Sequence, residues 1–268
     1  MKLFTRKKIY RKVRKRRLWN RTTVISLLGK TLALISVTFL IVTAVWWGNL
    51  TNQFNLKAIQ FYGNNYLNEN DLLYWLSISE SYDLTQLDLQ KIQDRLKEHP
   101  YIKTARASHN YPSILRIEIM ERKPIAYLNH KPFYLVDGEG VILPLSHGRI
   151  EFDVPYLSGF NSNPQLYPEG NKCLSNKVIE ALDFLMIAKN DFPDLYEDMS
   201  EVLINPQDDF VVLLSKRPTK IILGSENLTE RIIILEEFKS TLKNIRTLHD
   251  YKSIDLRHRR QIIVKEWV

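Results

Sequence analysis

The longest apolar stretch of the chain lies near its start. "TTVISLLGKTLALISVTFLIVTAVWWGNL" runs from Thr22, and Thr31 to Trp47 holds 17 residues without a charge. A bilayer core takes roughly 20 apolar residues in helical form, so the pattern predicts one transmembrane helix over 22–48. Lys30 lies within about two turns of the N-terminal end and can snorkel along its four-carbon stem. Trp46 and Trp47 close the other end, where amphipathic rings favour the headgroup region. A buried helix of a soluble protein and a cleaved signal peptide are the competing readings. The Trp-Trp edge opposite a cationic one speaks against the first. The 21-residue basic lead and the lack of a small-x-small site speak against the second, so an uncleaved anchor is expected.

Beyond residue 54 the pattern changes to short alternating units. "NLKAIQFY" (55–62) reads as a strand and "GNN" as a turn. "NENDLLYWL" begins with Asn/Asp capping chemistry and reads as a short helix. "DLTQLDLQKIQDRLKEHP" sets Leu89, Ile92 and Leu96 at helical spacing, with Asp88 as N-cap and Pro100 as stop. Two strands follow. "YIKTARASHN" alternates as Ile102, Thr104, Arg106, and "ILRIEIMER" sets Ile114, Ile117 and Ile119 against charges, with "NYP" as the turn between them. The order β-α-α-β-β predicts a small sheet with two helices on one face.

Residues 124–215 read mainly as short strands and turns. "DGEG" (137–140) joins "FYLV" and "VIL" as a hairpin turn; it lacks the spaced acidic ligands of a calcium loop. "SNKVIEALDFLMIAKND" predicts an amphipathic helix with Val178, Leu182, Leu185 and Met186 in the core. "MSEVLINP", "DFVVLLS" and "TKIILG" read as strands. "NLTERIIILEEFKSTLKNI" reads as the last helix, and Asn227 with Glu230 resembles a capping box. That helix start, rather than glycosylation, explains the sequon "NLT". "YKSIDL" and "QIIVKEW" read as closing strands around a basic turn, with no disordered tail expected after Val268.

Charge sharpens the picture. The chain has 38 basic and 30 acidic residues, a formal +8. Eleven of the basic residues fall in 1–21, Lys30 adds a twelfth, and the first acidic residue is Glu69. Without those twelve, 26 basic and 30 acidic residues remain. The body is therefore mildly acidic, and the positive charge belongs to a tail. The positive-inside rule places that tail, residues 1–21, in the cytoplasm and residues 48–268 outside it. Basic residues of the tail also attract anionic lipid. Nucleic acid is a poorer fit, because only Phe4, Tyr10 and Trp19 interleave with the charges.

Candidate chemistry is sparse. Cys173 is the single cysteine, so no intramolecular disulfide is available, and a buried packing role is expected. The six histidines show no metal-type spacing. The sequence contains no G-x-S-x-G, P-loop or G-x-G-x-x-G pattern. Glu151 and Asp153 would share a face of a strand, and a solvated surface explains them. No catalytic, cofactor or metal residue is assigned, and the weight shifts to binding or scaffolding.

"HPYIKTARASHNYPSILRIEIMERKPIAYL" resembles the cell-division family FtsQ, called DivIB in some bacteria. The resemblance rests there on Pro100, Tyr101, Ile102, Tyr111, Pro112, Leu115, Ile117, Glu121, Arg122, Pro124, Ile125 and Ala126. "LVDGEGVIL", "VPYLSG" and "IDLRHRRQIIVKEW" are similar to further family segments in the same order. The resemblance implies an α+β fold: a single N-terminal transmembrane helix, a POTRA domain (55–122) and a mixed β domain (123–268) with an open C-terminal edge strand. It implies a non-enzymatic divisome scaffold at the septum, joining early and late division proteins. The implied partners are FtsB, or its counterpart DivIC, with FtsL; FtsA, FtsK, FtsW and FtsI-type proteins are further candidates. The partner peptide is expected to add a strand at the edge made by the final strand, and the implied contacts are Arg257, His258, Arg260, Gln261, Ile262 and Trp267. Arg259, Arg260 and Gln261 depart from the small, acidic and glycine-containing turn of better-known members, and "RHRR" suggests a partner with acidic residues. Two other readings remain: a POTRA protein of outer-membrane assembly or secretion, and a membrane-anchored periplasmic enzyme.

Overall fold

The computed structural model describes residues 21–50, 53–78, 82–145, 151–242, 245–258 and 261–267. It divides into two compact units, 1–55 and 56–268. The expected basic tail lies outside the described residues except for Arg21.

Helix α1 (Arg21–Leu50) is the apolar stretch. Within it, Val24–Gly48 is long and apolar enough to cross a membrane. Its hydroxyls fold back on its own backbone: Thr31 donates to the Leu28 carbonyl at 2.9 Å, Ser36 to Ala33 at 2.8 Å and Thr43 to Phe39 at 2.9 Å. Polar groups satisfied within the helix suit a medium without water.

The second unit opens with a three-stranded sheet. Its elements are β1 (Ala58–Tyr62), α2 (Glu69–Leu76), α3 (Leu89–Lys97), β2 (Ile102–Asn110) and β3 (Ile114–Glu121), in sheet order β1-β3-β2. β1 runs parallel to β3 and β2 antiparallel to it. The Asp88 carboxylate caps α3 by accepting from the Gln90 and Lys91 amides. Asn68 stands at the N-cap of α2 without a side-chain cap bond. Leu72 and Leu76 from α2, with Ile92 and Leu96 from α3, bury against Phe61, Leu115, Ile117 and Ile119. Gly63 at φ +85° follows β1; a Cβ there would stand 2.1 Å from the Ile119 carbonyl oxygen, so the crossing admits only glycine.

The expected alternation of β2 is corrected. Ile102 is buried, but Thr104 and Arg106 are exposed, and Ala105 and Ala107 face the core. The register shifts between Ile102 and Thr104. One extra residue in a strand reverses the facing of everything after it. In β3 the inward set is Leu115, Ile117, Ile119 and the carboxylate of Glu121, with Ile114 only half-buried. Glu121 is buried because the amides of Asn65, Tyr66 and Leu67 donate to it at 2.8–2.9 Å.

The remaining strands form one nine-stranded sheet. They are β4 (Pro124–Leu128), β5 (Tyr134–Asp137), β6 (Ile142–Pro144), β7 (Tyr156–Ser158), β8 (Met199–Ile204), β9 (Phe210–Leu214), β10 (Lys220–Gly224), β11 (Tyr251–Asp255) and β12 (Ile263–Glu266). The order is β12-β11-β10-β9-β8-β7-β4-β5-β6, with β4–β7, β7–β8 and β10–β11 parallel. Helices α4 (Asn176–Asp191), α5 (Pro193–Glu197) and α6 (Leu228–Leu242) supply Val178, Leu185, Leu195, Ile232 and Leu235 to its core. Val202, Val212, Ile221 and Ile254 stand side by side across β8 to β11 in that core. Met186, expected in it, is half-buried at its margin. Glu151 and Asp153 are exposed and lie in irregular chain, not in a strand.

Asn227 stands directly before α6 in a left-handed backbone conformation. Its φ is +56°, and the Glu230 and Arg231 amides donate to its carbonyl. A reciprocal capping box is present at Thr247 and Asp250, around the 3₁₀ turn Leu248–Asp250. Cys173 is buried, and burial raises its thiol pKa, as a packing residue requires.

The two sheets meet through side chains. The Tyr101 hydroxyl donates to the Pro144 carbonyl at 2.7 Å, and Tyr101 packs with Leu135, Val141 and Leu143. Tyr66 and Phe152 meet edge-to-face at 5.1 Å. Arg122 binds Asp137 at 2.8 Å and Glu139 at 3.0 Å. Asp137 also closes the β5–β6 turn by accepting from the Glu139 and Val141 amides.

Candidate partner-binding edge

β12 is the last strand of the nine-stranded sheet, and all four of its residues are exposed. On its inner side it pairs antiparallel with β11: Asp255 opposes Ile263, Ile254 opposes Val264 and Ser253 opposes Lys265. Among the described residues no strand pairs with its outer side. That side carries a row of main-chain donors and acceptors, which is a template for another extended chain.

Several contacts hold the edge in place. The Thr247–Asp250 box sets the turn that feeds β11. The buried Thr219 hydroxyl donates to the Tyr251 carbonyl at 2.7 Å, fastening the start of β11. His249 Nε2 lies 2.7 Å from Asp198 Oδ2, which fixes the ring against the end of α5. The backbone carbonyl of His249 then accepts from the Trp267 indole Nε1 at 3.1 Å. The Arg217 guanidinium lies over the Trp267 ring at 5.3 Å. Arg246 binds Glu266, which opposes Tyr251 in the ladder, and that pairing raises the arginine pKa.

Arg257 is engaged at home. Its Nη2 lies 2.6 Å from Asp255 Oδ2, its Nε 3.0 Å from Asp255 Oδ1, and its Nη1 3.1 Å from Asp209 Oδ2. The Arg257 hydrogen bond holds the Asp255 carboxyl below the usual carboxylate range. Gly224 at φ +96° gives the arginine stem room, since a Cβ there would lie 3.3 Å from its Cγ.

The expected contact residues therefore occupy different settings. His258 and Gln261 are exposed. Arg257 is exposed but clamped by two carboxylates of its own chain. Ile262 is half-buried and packs on the core of the large sheet. Trp267 is half-buried with its N–H turned to His249. Arg260, with Arg259, lies outside the described residues. Sequence reasoning missed Arg217, Arg246 and His249, which lie 18 to 51 positions from their partners in chain with no spacing to reveal them. Among the described residues no group of three or more His, Cys, Asp or Glu could hold a metal ion.

Residues 54–122 match the POTRA domain of FtsQ type, and residues 123–265 match the FtsQ/DivIB C-terminal related family. The cell division protein FtsQ of Syntrophotalea carbinolica is 25% identical over 259 residues, which is 96% of this chain and 90% of that one. FtsQ of Geotalea daltonii is 23% identical over 218 residues, 81% of this chain and 77% of its own. The cell division protein DivIB of Clostridium acetobutylicum is 24% identical over 153 residues, 56% and 61%. With an apolar N-terminal helix consistent with a single-pass membrane protein, a three-stranded unit matching a POTRA domain and a large mixed sheet behind it, the chain belongs to the FtsQ/DivIB family of cell-division proteins.

Proposed function

We propose that the protein is a divisome scaffold that receives a strand of an FtsB- or DivIC-type subunit, in complex with FtsL, on the outer side of β12. The observation that supports this reading is the edge itself: a terminal strand with four exposed residues and no strand on its outer side among the described residues. Main-chain hydrogen bonds would supply affinity, and alternate side chains would supply selectivity. The contact set is Arg257, His258, Arg260, Gln261 and Ile262, with Trp267 fixing the end of the strand. In this reading the α1 anchor leaves the basic tail in the cytoplasm and both sheets outside, at the septum, and the domains are 55–122 and 123–268. The scaffold carries out no chemistry of its own.

Co-purification of the full chain with FtsB- and FtsL-type partners tests the proposal. Deleting residues 261–268 is expected to abolish the complex while the three-stranded unit stays folded. Retained binding after that deletion would show that the edge is merely structural. Depletion is expected to give filamentous cells.

A further inference from the structure

A cleft of about 560 Å³ opens where the two sheets meet, lined by Lys103, Met120, Lys123, Glu139, Met186 and Lys189 among others. Concave sites of this size at a junction are preferred ligand sites.

The charges in the cleft fall into two groups. Arg122 is held by Asp137 and Glu139, and Lys103 by Glu139 at 2.8 Å. Glu121 is taken up by three backbone amides. Lys123 and Lys189 remain, each without an acidic partner among the described residues. They act on each other: the Lys189 ammonium is pushed below its usual range by burial and then by Lys123. The Lys189 ammonium also lies 5.2 Å from the centre of the Tyr196 ring.

The apolar side of the cleft is two thioethers. Met120 is 56% exposed. Met186 is half-buried at the margin of the large core, and Gly138 leaves it room, since a Cβ there would stand 2.7 Å from its sulfur. Methionines suit surfaces that accept varied apolar groups.

We propose that this cleft binds a short acidic segment of a partner protein. One carboxylate would lie between Lys123 and Lys189, and an apolar side chain against Met120 and Met186. A carboxylate there relieves the repulsion between two ammoniums that the fold leaves unneutralised. A concave site with thioethers and two free cations fits a side chain and a carboxylate better than a flat, multiply charged bilayer surface. The site is separate from the edge strand. β5 stands seven places from β12 in the sheet, roughly 30 Å at about 4.8 Å per strand.

The test uses the full chain in neutral-lipid nanodiscs. Fluorescence anisotropy follows a labelled peptide of alternating glutamate and leucine, with a glutamine-for-glutamate peptide as control. The glutamate peptide is expected to bind, and Lys123→Glu with Lys189→Glu to weaken it by tenfold or more. A chain lacking residues 261–268 should keep its affinity for the peptide, which separates this site from the edge. Lys123→Gln with Lys189→Gln, which adds no new charge, should give a smaller loss with unchanged thermal unfolding. No peptide binding, equal binding of the glutamine peptide, or equal binding by the double variants would overturn the proposal. Binding of phosphatidylserine vesicles through the same two lysines without peptide binding would replace the peptide by a membrane.

Discussion

The Trp267 indole donates to the His249 backbone carbonyl across 18 residues of chain, and the same His249 is fixed through its ring by Asp198. The exposed last strand is thus fastened to α5 by a relay of two hydrogen bonds rather than by burial. Trp267→Ala removes the bond and the stacking under Arg217. Hydrogen exchange at Ile263 to Glu266 should quicken by about fivefold, for a loss of about 1 kcal/mol. Partner binding should weaken with it, while the melting temperature of the rest barely moves. Unchanged exchange at these amides would show that backbone pairing with β11 suffices.

Arg122→Ala should destabilise the whole outer body. It removes the partner of Asp137, which is 4% exposed, and leaves a buried carboxylate with only backbone donors. Breaking a buried pair from one side costs on the order of 3 kcal/mol. Urea unfolding measures this, and a loss under about 0.5 kcal/mol, the size of an ordinary surface change, would contradict the role.

Gly63→Ala should be severe and Gly29→Ala mild. The first places a Cβ at φ +85° and 2.1 Å from a carbonyl oxygen; the second meets nothing within 4 Å. A cost on the order of 3 kcal/mol is expected at Gly63, read as loss of soluble outer body or a lowered melting temperature. A fully stable Gly63 variant would mean that the crossing of β1 and β3 can spread.

His99 makes stability depend on pH. Burial lowers its pKa below the ordinary 6.5, partly offset by Asp71 and Glu121. Its Nδ1 accepts from the Tyr101 amide at 3.3 Å, and its ring meets Trp75 at 4.9 Å. The folded state thus favours the neutral ring. Its contribution is fully present above 6.5 and is lost as pH falls through the lowered folded value. The melting temperature should drop between neutral and mildly acidic pH, and His99→Gln should flatten that slope. An equal slope in the variant would assign the dependence to other groups.

Asp255 has the opposite chemistry and the same sign. Arg257 lowers its pKa, so the pair stabilises above the ordinary carboxylate value of 3.8 and fades as pH falls below it. Arg257→Ala should lose stability near neutrality and show a shallower acid transition. A transition as steep as in the parent would place the acid sensitivity elsewhere.

The elements were readable because their signals are local. Asp88 before Leu89, Ile92 and Leu96 is a helix start that needs no neighbour, and alternation in β3 identifies a strand. What was not readable depends on residues far apart. The phase of β2 reverses at a bulge that only its pairing with β3 creates. Asn227 carries the composition of a cap but takes a left-handed backbone. The basic "RHRR" reads as a free positive patch, yet Asp209, 48 positions away, claims part of Arg257. The same distance hides the candidate edge: nothing in "QIIVKEW" alone says that β12 stands outermost or that Arg246 and His249 hold it.

The pairing of β12 with β11 also sets a reading frame. Val264 opposes the core residue Ile254, so Ile262, Val264 and Glu266 point toward the helix-packed face, and Ile263 and Lys265 toward the other. A chain laid along β12 inherits this phase, and sliding it by one residue would exchange its two faces. The fastenings at Glu266 and Trp267 hold β12 from slipping, so they also decide which side chains of a guest strand meet Val264 and which meet Lys265. Selectivity at such an edge is a matter of parity as much as of composition.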